Sequence, residues 1–131
     1  MKTLLTTTAL LLAAHCVSAQ SPISLPEWAG NEEKNIHVEK LAGDSLTTSF
    51  MISVRDSVPT HYHVAHSEHV YVLEGRGTMW MNSDTMRISA GDYIFIPSET
   101  RHGVVTEGGD LLKVLSIQSP EFKGVDRHWV Y

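Results

Sequence analysis

Between His61 and Glu74 the chain reads HYHVAHSEHVYVLE, which holds four histidines and two glutamates, half of the eight histidines in the whole sequence. Imidazole nitrogen and carboxylate oxygen together are a donor set for divalent transition metals. In an extended strand, residues i and i+2 share a face about 6.6 Å apart, so His61 and His63 project side by side. Val64 to Ser67 can turn the chain, and Glu68 then opens a second strand. Adjacent strands lie about 4.8 Å apart, close enough for that carboxylate to reach the same point. His-x-His-x4-Glu thus offers three ligands on a two-strand ledge. A solvated histidine-rich loop is the alternative that this spacing leaves open.

A second segment bears on that choice. GDYIFIPSETRHGVV puts His102 at the start of a strand, five residues after Pro97. Taken together, the two segments resemble the cupin superfamily of small β-barrels. The first cupin motif is Gly-x5-His-x-His-x3/4-Glu-x6-Gly, and His61, His63, Glu68 and Gly75 match it. The second is Gly-x5-Pro-x-Gly-x2-His-x3-Asn, matched by Gly91, Pro97 and His102. Arg55, Glu99 and Thr106 stand where the motifs have glycine, glycine and asparagine, which loosens the turn geometry that can be carried over.

The resemblance spans Val38 to Ser119 and implies an all-β chain, a single jelly-roll-like cupin barrel of antiparallel strands. It also implies one divalent transition metal (iron, manganese, nickel, copper or zinc) held by His61, His63, Glu68 and His102. Such a set leaves one or two positions for water or substrate. Calcium and magnesium prefer all-oxygen shells and fit poorly.

The elements that must position these groups read directly as strands. Short runs such as LTTSFMISV, EHVYVLE, YIFI and LLKVLSI are rich in Val, Ile, Thr and aromatics and end at Gly, Asp or Pro, the punctuation of an all-β sandwich or barrel. TMWM and TMRI face each other across Asn82-Ser83-Asp84 as a hairpin. No window carries a helical stripe. Residues 20–34 are prolines, glycine and acids without a period, an extended arm that Leu25 and Trp28 pin to the body. The barrel domain then occupies residues 35–131. Parity sends Met51, Ser53, Met79, Met81, Phe95 and Val104 inward, and of these only Ser53 is polar.

The remaining local groups are expected to be bystanders. His66 falls in the turn and is expected in solvent; His69 points opposite to Glu68, towards outer packing or a subunit contact; Glu74 caps a strand end in water. The tail DRHWVY (126–131) is expected to add a final edge strand, with an arm over the barrel mouth or a partner as the alternative.

Bulk properties narrow the setting. Residues 1–19 have a basic start at Lys2, a short apolar core and Val17-Ser18-Ala19, the pattern of a cleaved secretory signal. The apolar run is shorter than the ~20 residues of a membrane span. A secreted or periplasmic product follows, without membrane insertion after cleavage. The single cysteine, Cys16, leaves with the signal. A formal net charge of −5 argues against nucleic acid and anionic membrane as partners. Strands apolar on both faces predict a homodimer.

Two functions follow from the site. One is an enzyme, of dioxygenase or isomerase/lyase type, acting on a small organic molecule, with Glu68 both ligating and relaying a proton. The other is a small-molecule or metal-binding module without turnover, favoured by the lack of a second acid or base facing inward.

Overall fold

The computed structural model describes residues 21–131, so the signal assigned to residues 1–19 lies outside the described residues. Ten strands follow a short 3-10 turn at Leu25–Glu27: β1 (Ile36–Gly43), β2 (Thr48–Val54), β3 (Ser57–Tyr62), β4 (Ser67–Glu74) and β5 (Arg76–Met81), then β6 (Asp84–Ser89), β7 (Tyr93–Ile96), β8 (His102–Thr106), β9 (Leu112–Ser119) and β10 (His128–Trp129). They form two five-stranded antiparallel sheets, ordered β1-β2-β9-β4-β7 and β10-β3-β8-β5-β6. The expected all-β jelly-roll barrel is what the chain forms.

Alternation explains the core between the sheets. On β7 the side chains of Ile94 and Ile96 turn inward and are buried, whereas Tyr93 and Phe95 face out. Val72, Met79, Val104, Leu112 and Val114 join them from the other strands. The β5–β6 hairpin turns at Asn82, whose φ of 53° is a left-handed conformation that asparagine tolerates.

Parity misplaced three of the residues expected inside. Phe95 pairs with His69 on the outer side of β4–β7 and is exposed. Met51 and Ser53 are buried, but the inward set of β2 is Ile52 and Val54, which line the cavity. Ser53 faces the arm instead, accepting the backbone N–H of Asn31 at 3.1 Å. A Cβ on Gly30 would lie 2.9 Å from that of Ser53, so the arm presses directly on the strand. With apolar residues on both faces of β2, composition alone does not say which face is the interior. Met79 and Val104 do line the interior, and Met81 packs beside them.

Of the two residues expected to pin the arm, Trp28 makes specific contacts with the body. It stacks on His37 with ring centres 5.9 Å apart and donates its Nε1–H to Glu39.

Candidate metal centre

The four implied ligands enter from three segments of the chain. His61 lies near the end of β3 and pairs across the ladder with His102, the first residue of β8. His63 follows one residue beyond β3, and Glu68 is the second residue of β4. The two-strand ledge expected from the sequence needs correcting here. Strand β3 pairs with β8 and β10, whereas β4 belongs to the opposite sheet. The histidines therefore occupy one wall, and Glu68 reaches them across the barrel.

The ligand atoms of His61, His63 and His102 lie within 4.8 Å of one another. The Glu68 Oε2 is 3.6 Å from the Nε2 of both His63 and His102. All four residues are buried.

Backbone carbonyls set the tautomers. The Nδ1–H of His61 donates to the carbonyl of Pro59 at 3.0 Å, that of His102 to Thr100 at 2.8 Å, and that of His63 to Asp126. A proton fixed on Nδ1 turns the Nε2 lone pair towards the centre. There, the Nε2 atoms of His63 and His102 are buried without a hydrogen-bond partner. Native interiors seldom leave such groups unmet. Three imidazoles with open lone pairs and one carboxylate fit a divalent transition metal.

The electrostatics differ from ligand to ligand. Burial, and then the neighbouring His102, pushes His61 down to about 4, which keeps it neutral and able to ligate. Burial works against protonation of His63, but Glu68 and the Asp126 carbonyl outweigh it and raise its pKa, with Arg127 opposing. Burial also works against ionisation of Glu68, yet His102, His63 and the Ser116 hydroxyl, which donates to Oε1, hold the carboxyl well below the usual range.

The departures from the motifs leave the frame intact. Glu99 takes φ 63°, the left-handed turn for which glycine is the usual choice, and its N–H reaches the carbonyl of His63 at 2.6 Å. Thr106 Oγ1 donates to the carbonyl of Arg55 at 2.6 Å, which ties β8 to the β2–β3 turn.

His66 overturns its expected exposure. It is 5 % exposed, bonded through Nδ1 to the Asp126 carboxylate and through Nε2 to the carbonyl of Glu121 at 2.8 Å. A turn is normally solvated; this one is covered by the segment after β9, which the turn sequence gave no reason to expect there. His69 is on the outer face, packed on Phe95. Glu74 is exposed and pairs with Lys113 at 2.7 Å.

The tail does form an edge strand, Trp129 pairing with His61. It also borders the cavity, together with Arg127 and the inward Gln118 of β9. Ser116, Gln118, Asp126 and Arg127 are site residues that the sequence reading missed. The first two were legible: they continue the inward parity of Val114.

A family profile for the cupin domain matches residues 49–118. An uncharacterised protein of Aquifex aeolicus is 30 % identical over 76 % of this chain and 81 % of its own length. Quercetin 2,3-dioxygenase of Bacillus subtilis is 38 % identical over 36 % of this chain, a stretch that is only 14 % of the dioxygenase. Among solved structures, a single-residue variant of Streptomyces PAC13 with uridine superposes with a TM-score of 0.68 at 21 % identity, over 86 % of this chain and 92 % of that one.

Proposed function

This chain belongs to the cupin domain family, and on that premise we propose that it is an exported metalloprotein acting on a small organic molecule inside its barrel. One divalent transition metal is held by His61, His63, Glu68 and His102. The observation that carries this reading is the pair of buried, unpartnered Nε2 atoms on His63 and His102, both directed at the Glu68 carboxylate.

Such an ion, when bound, supplies Lewis acidity and, for a redox-active metal, oxygen chemistry. The chain supplies the rest. A cavity of about 90 Å³ adjoins the cluster, several times the ~10–15 Å³ that one water needs. Its aliphatic walls, including Ile52, Val54 and Val104, exclude bulk water from the reacting end. Glu68 is the group placed to relay a proton: its Oε2 faces the cluster histidines at 3.6 Å while Ser116 donates to Oε1.

A dioxygenase among the matched proteins and a solved relative holding uridine support a small-molecule substrate for this one. The competing reading, a binding module without turnover, draws on one observation. Apart from the four cluster residues, the polar groups on the cavity are Gln118, Arg127 and Trp129, none of them an acid or base near neutral pH.

Elemental analysis of anaerobically purified protein, followed by oxygen uptake with small phenolic, thiol and keto-acid compounds, separates these readings. Iron with oxygen consumption supports the enzyme. Zinc without turnover supports the module, and a chain that takes up no metal sinks the metal-dependent enzyme and leaves only a metal-free small-molecule module. Mass spectrometry of the exported form tests the signal: a product that retains Cys16 contradicts cleavage after Ala19.

A further inference from the structure

We propose that Gln118 and Arg127 make this cavity selective for small hydroxy acids: molecules with one carboxylate, one hydroxyl and a short apolar body. The assignment rests on the cupin metal centre proposed above and names its ligand class.

Gln118 carries the first half. It is only 2 % exposed, it lines the cavity, and its Oε1 has no hydrogen-bond partner. Its cross-strand neighbour is Glu68, which places the two side chains on one face with Cβ atoms about 5 Å apart. An ionised carboxylate accepts and cannot donate, so Glu68 leaves the amide oxygen unmet. A buried carbonyl oxygen without a donor costs stability. A ligand hydroxyl beside the cluster supplies the missing hydrogen.

Arg127 carries the second half. It also borders the cavity, and among the described residues no carboxylate pairs with it. Its guanidinium carbon sits 5.8 Å from the ring centres of both Phe122 and Trp129. Arg127 is exposed to solvent, and those two contacts restrict its side chain while leaving its donors free. A divalent ion beside one carboxylate leaves a net positive charge, to which Arg127 adds. Inside a chain of formal net charge −5, this cavity is a local sink for an anion. Guanidinium geometry matches carboxylate with two parallel hydrogen bonds. Between the two polar ends, the aliphatic wall accepts hydrocarbon.

Calorimetric binding to the full chain, zinc-loaded and metal-free, tests this with two matched sets: 3-hydroxybenzoate, benzoate and phenol, then 3-hydroxybutyrate, butyrate and 2-butanol. In at least one set the hydroxy acid binds best, and removal of either polar group weakens binding about tenfold or more. Arg127→Gln removes the advantage of the acid over the neutral alcohol. Gln118→Met removes the advantage of the hydroxy acid over the plain acid, and Gln118→Leu repeats the measurement should the Met variant not fold. No preference for the hydroxy acid in either set overturns the proposal, as does a preference that survives both substitutions. Zinc titration of the same samples keeps the two readings apart. A chain that binds zinc but shows no such preference overturns this assignment and leaves the metal centre standing. A chain that binds no zinc yet selects the hydroxy acid through Gln118 and Arg127 overturns the metal centre and supports the assignment.

Discussion

The backbone carbonyl of Asp126 accepts the Nδ1–H of His63 across a sequence separation of 63 residues. The same residue's carboxylate accepts the backbone N–H groups of Val64 and Ala65 at 2.9 and 2.8 Å, and bonds the ring of His66. One tail residue therefore shapes the whole turn between His63 and Glu68. Burial disfavours its ionisation, but these donors together hold its carboxyl far below the usual range.

Asp126→Ala should therefore act on the cluster through the turn, since the carboxylate it removes bonds Val64, Ala65 and His66 and none of the four ligands. Loss of several hydrogen bonds to one buried carboxylate costs about 3 kcal/mol of stability. Metal affinity should fall about 10- to 100-fold, the usual consequence of losing an outer support. Asp126→Asn, which keeps one acceptor oxygen, should lie between the variant and the parent. Thermal unfolding and metal titration read both effects. Unchanged affinity in the alanine variant would show that the carboxylate's hold on the turn at residues 64–66 does not support the cluster, the backbone carbonyl that His63 bonds being kept.

Single substitutions sort ligands from supports. His61→Ala, His63→Ala and His102→Ala should each lose more affinity than the roughly 10- to 100-fold of an outer support. Glu68→Gln should lose less than any of them, since an amide oxygen still coordinates without the charge. His69→Ala, out on the far face, should stay within a few-fold. His66→Ala should lower the melting temperature, because it strips the Asp126 carboxylate and the Glu121 carbonyl of a buried partner. Retention of the ion by His102→Ala together with its loss in His69→Ala would move the site off the barrel interior.

The four clustered side chains and the barrel were legible because each rests on local spacing. His61 and His63 are two residues apart, His102 follows a proline turn, and short β-branched runs announce their strands. The wall that each ligand occupies was not legible. Whether β4 pairs beside β3 or in the opposite sheet is decided by long-range ladders, β4 with β9 and β3 with β8, and no local pattern encodes a partner so distant. His66 and Asp126 were missed for a related reason. Their bond spans 60 residues, and neither segment predicts the other. Phe95 was misassigned by a single step of parity, although Glu68 opposite Ile96 fixes it once one inward residue is known.

Acid should loosen the metal-free fold in a defined window. His61 has a pKa of about 4 in the folded chain, against 6.5 for a free histidine, burial being the main cause. A depressed histidine pKa means that the fold favours the neutral ring. That stability is fully present above pH 6.5 and is lost progressively as pH falls towards about 4. His63 is raised instead, so its contribution is complete below pH 6.5 and constant through this window. Glu68, held low, adds loss in the same direction only below about 4.5. The melting temperature of the metal-free protein should thus decline between pH 6.5 and 4, and His61→Asn should flatten that decline. A parent whose melting temperature is level across the window would contradict the burial argument.

Association should follow from the outer face of the first sheet. The arm covers its β1–β2 side, where Trp28 lies on His37 and Asn31 bonds Ser53. The β4–β7 side keeps Tyr71, Tyr93 and Phe95 at 44, 60 and 45 % exposure. On that face Tyr71 lies opposite Tyr93, and His69 opposite Phe95, so the aromatics form one contiguous patch rather than scattered side chains. Patches of this kind mark association surfaces, and aromatic residues are enriched in interface cores. A second copy meeting the same patch through a two-fold axis would bury it on both chains. Sedimentation at micromolar concentration should report a dimer, and Phe95→Glu should give a monomer that binds metal as the parent does, since Phe95 points away from the cavity. A monomeric parent would show that the aromatic patch is left in water.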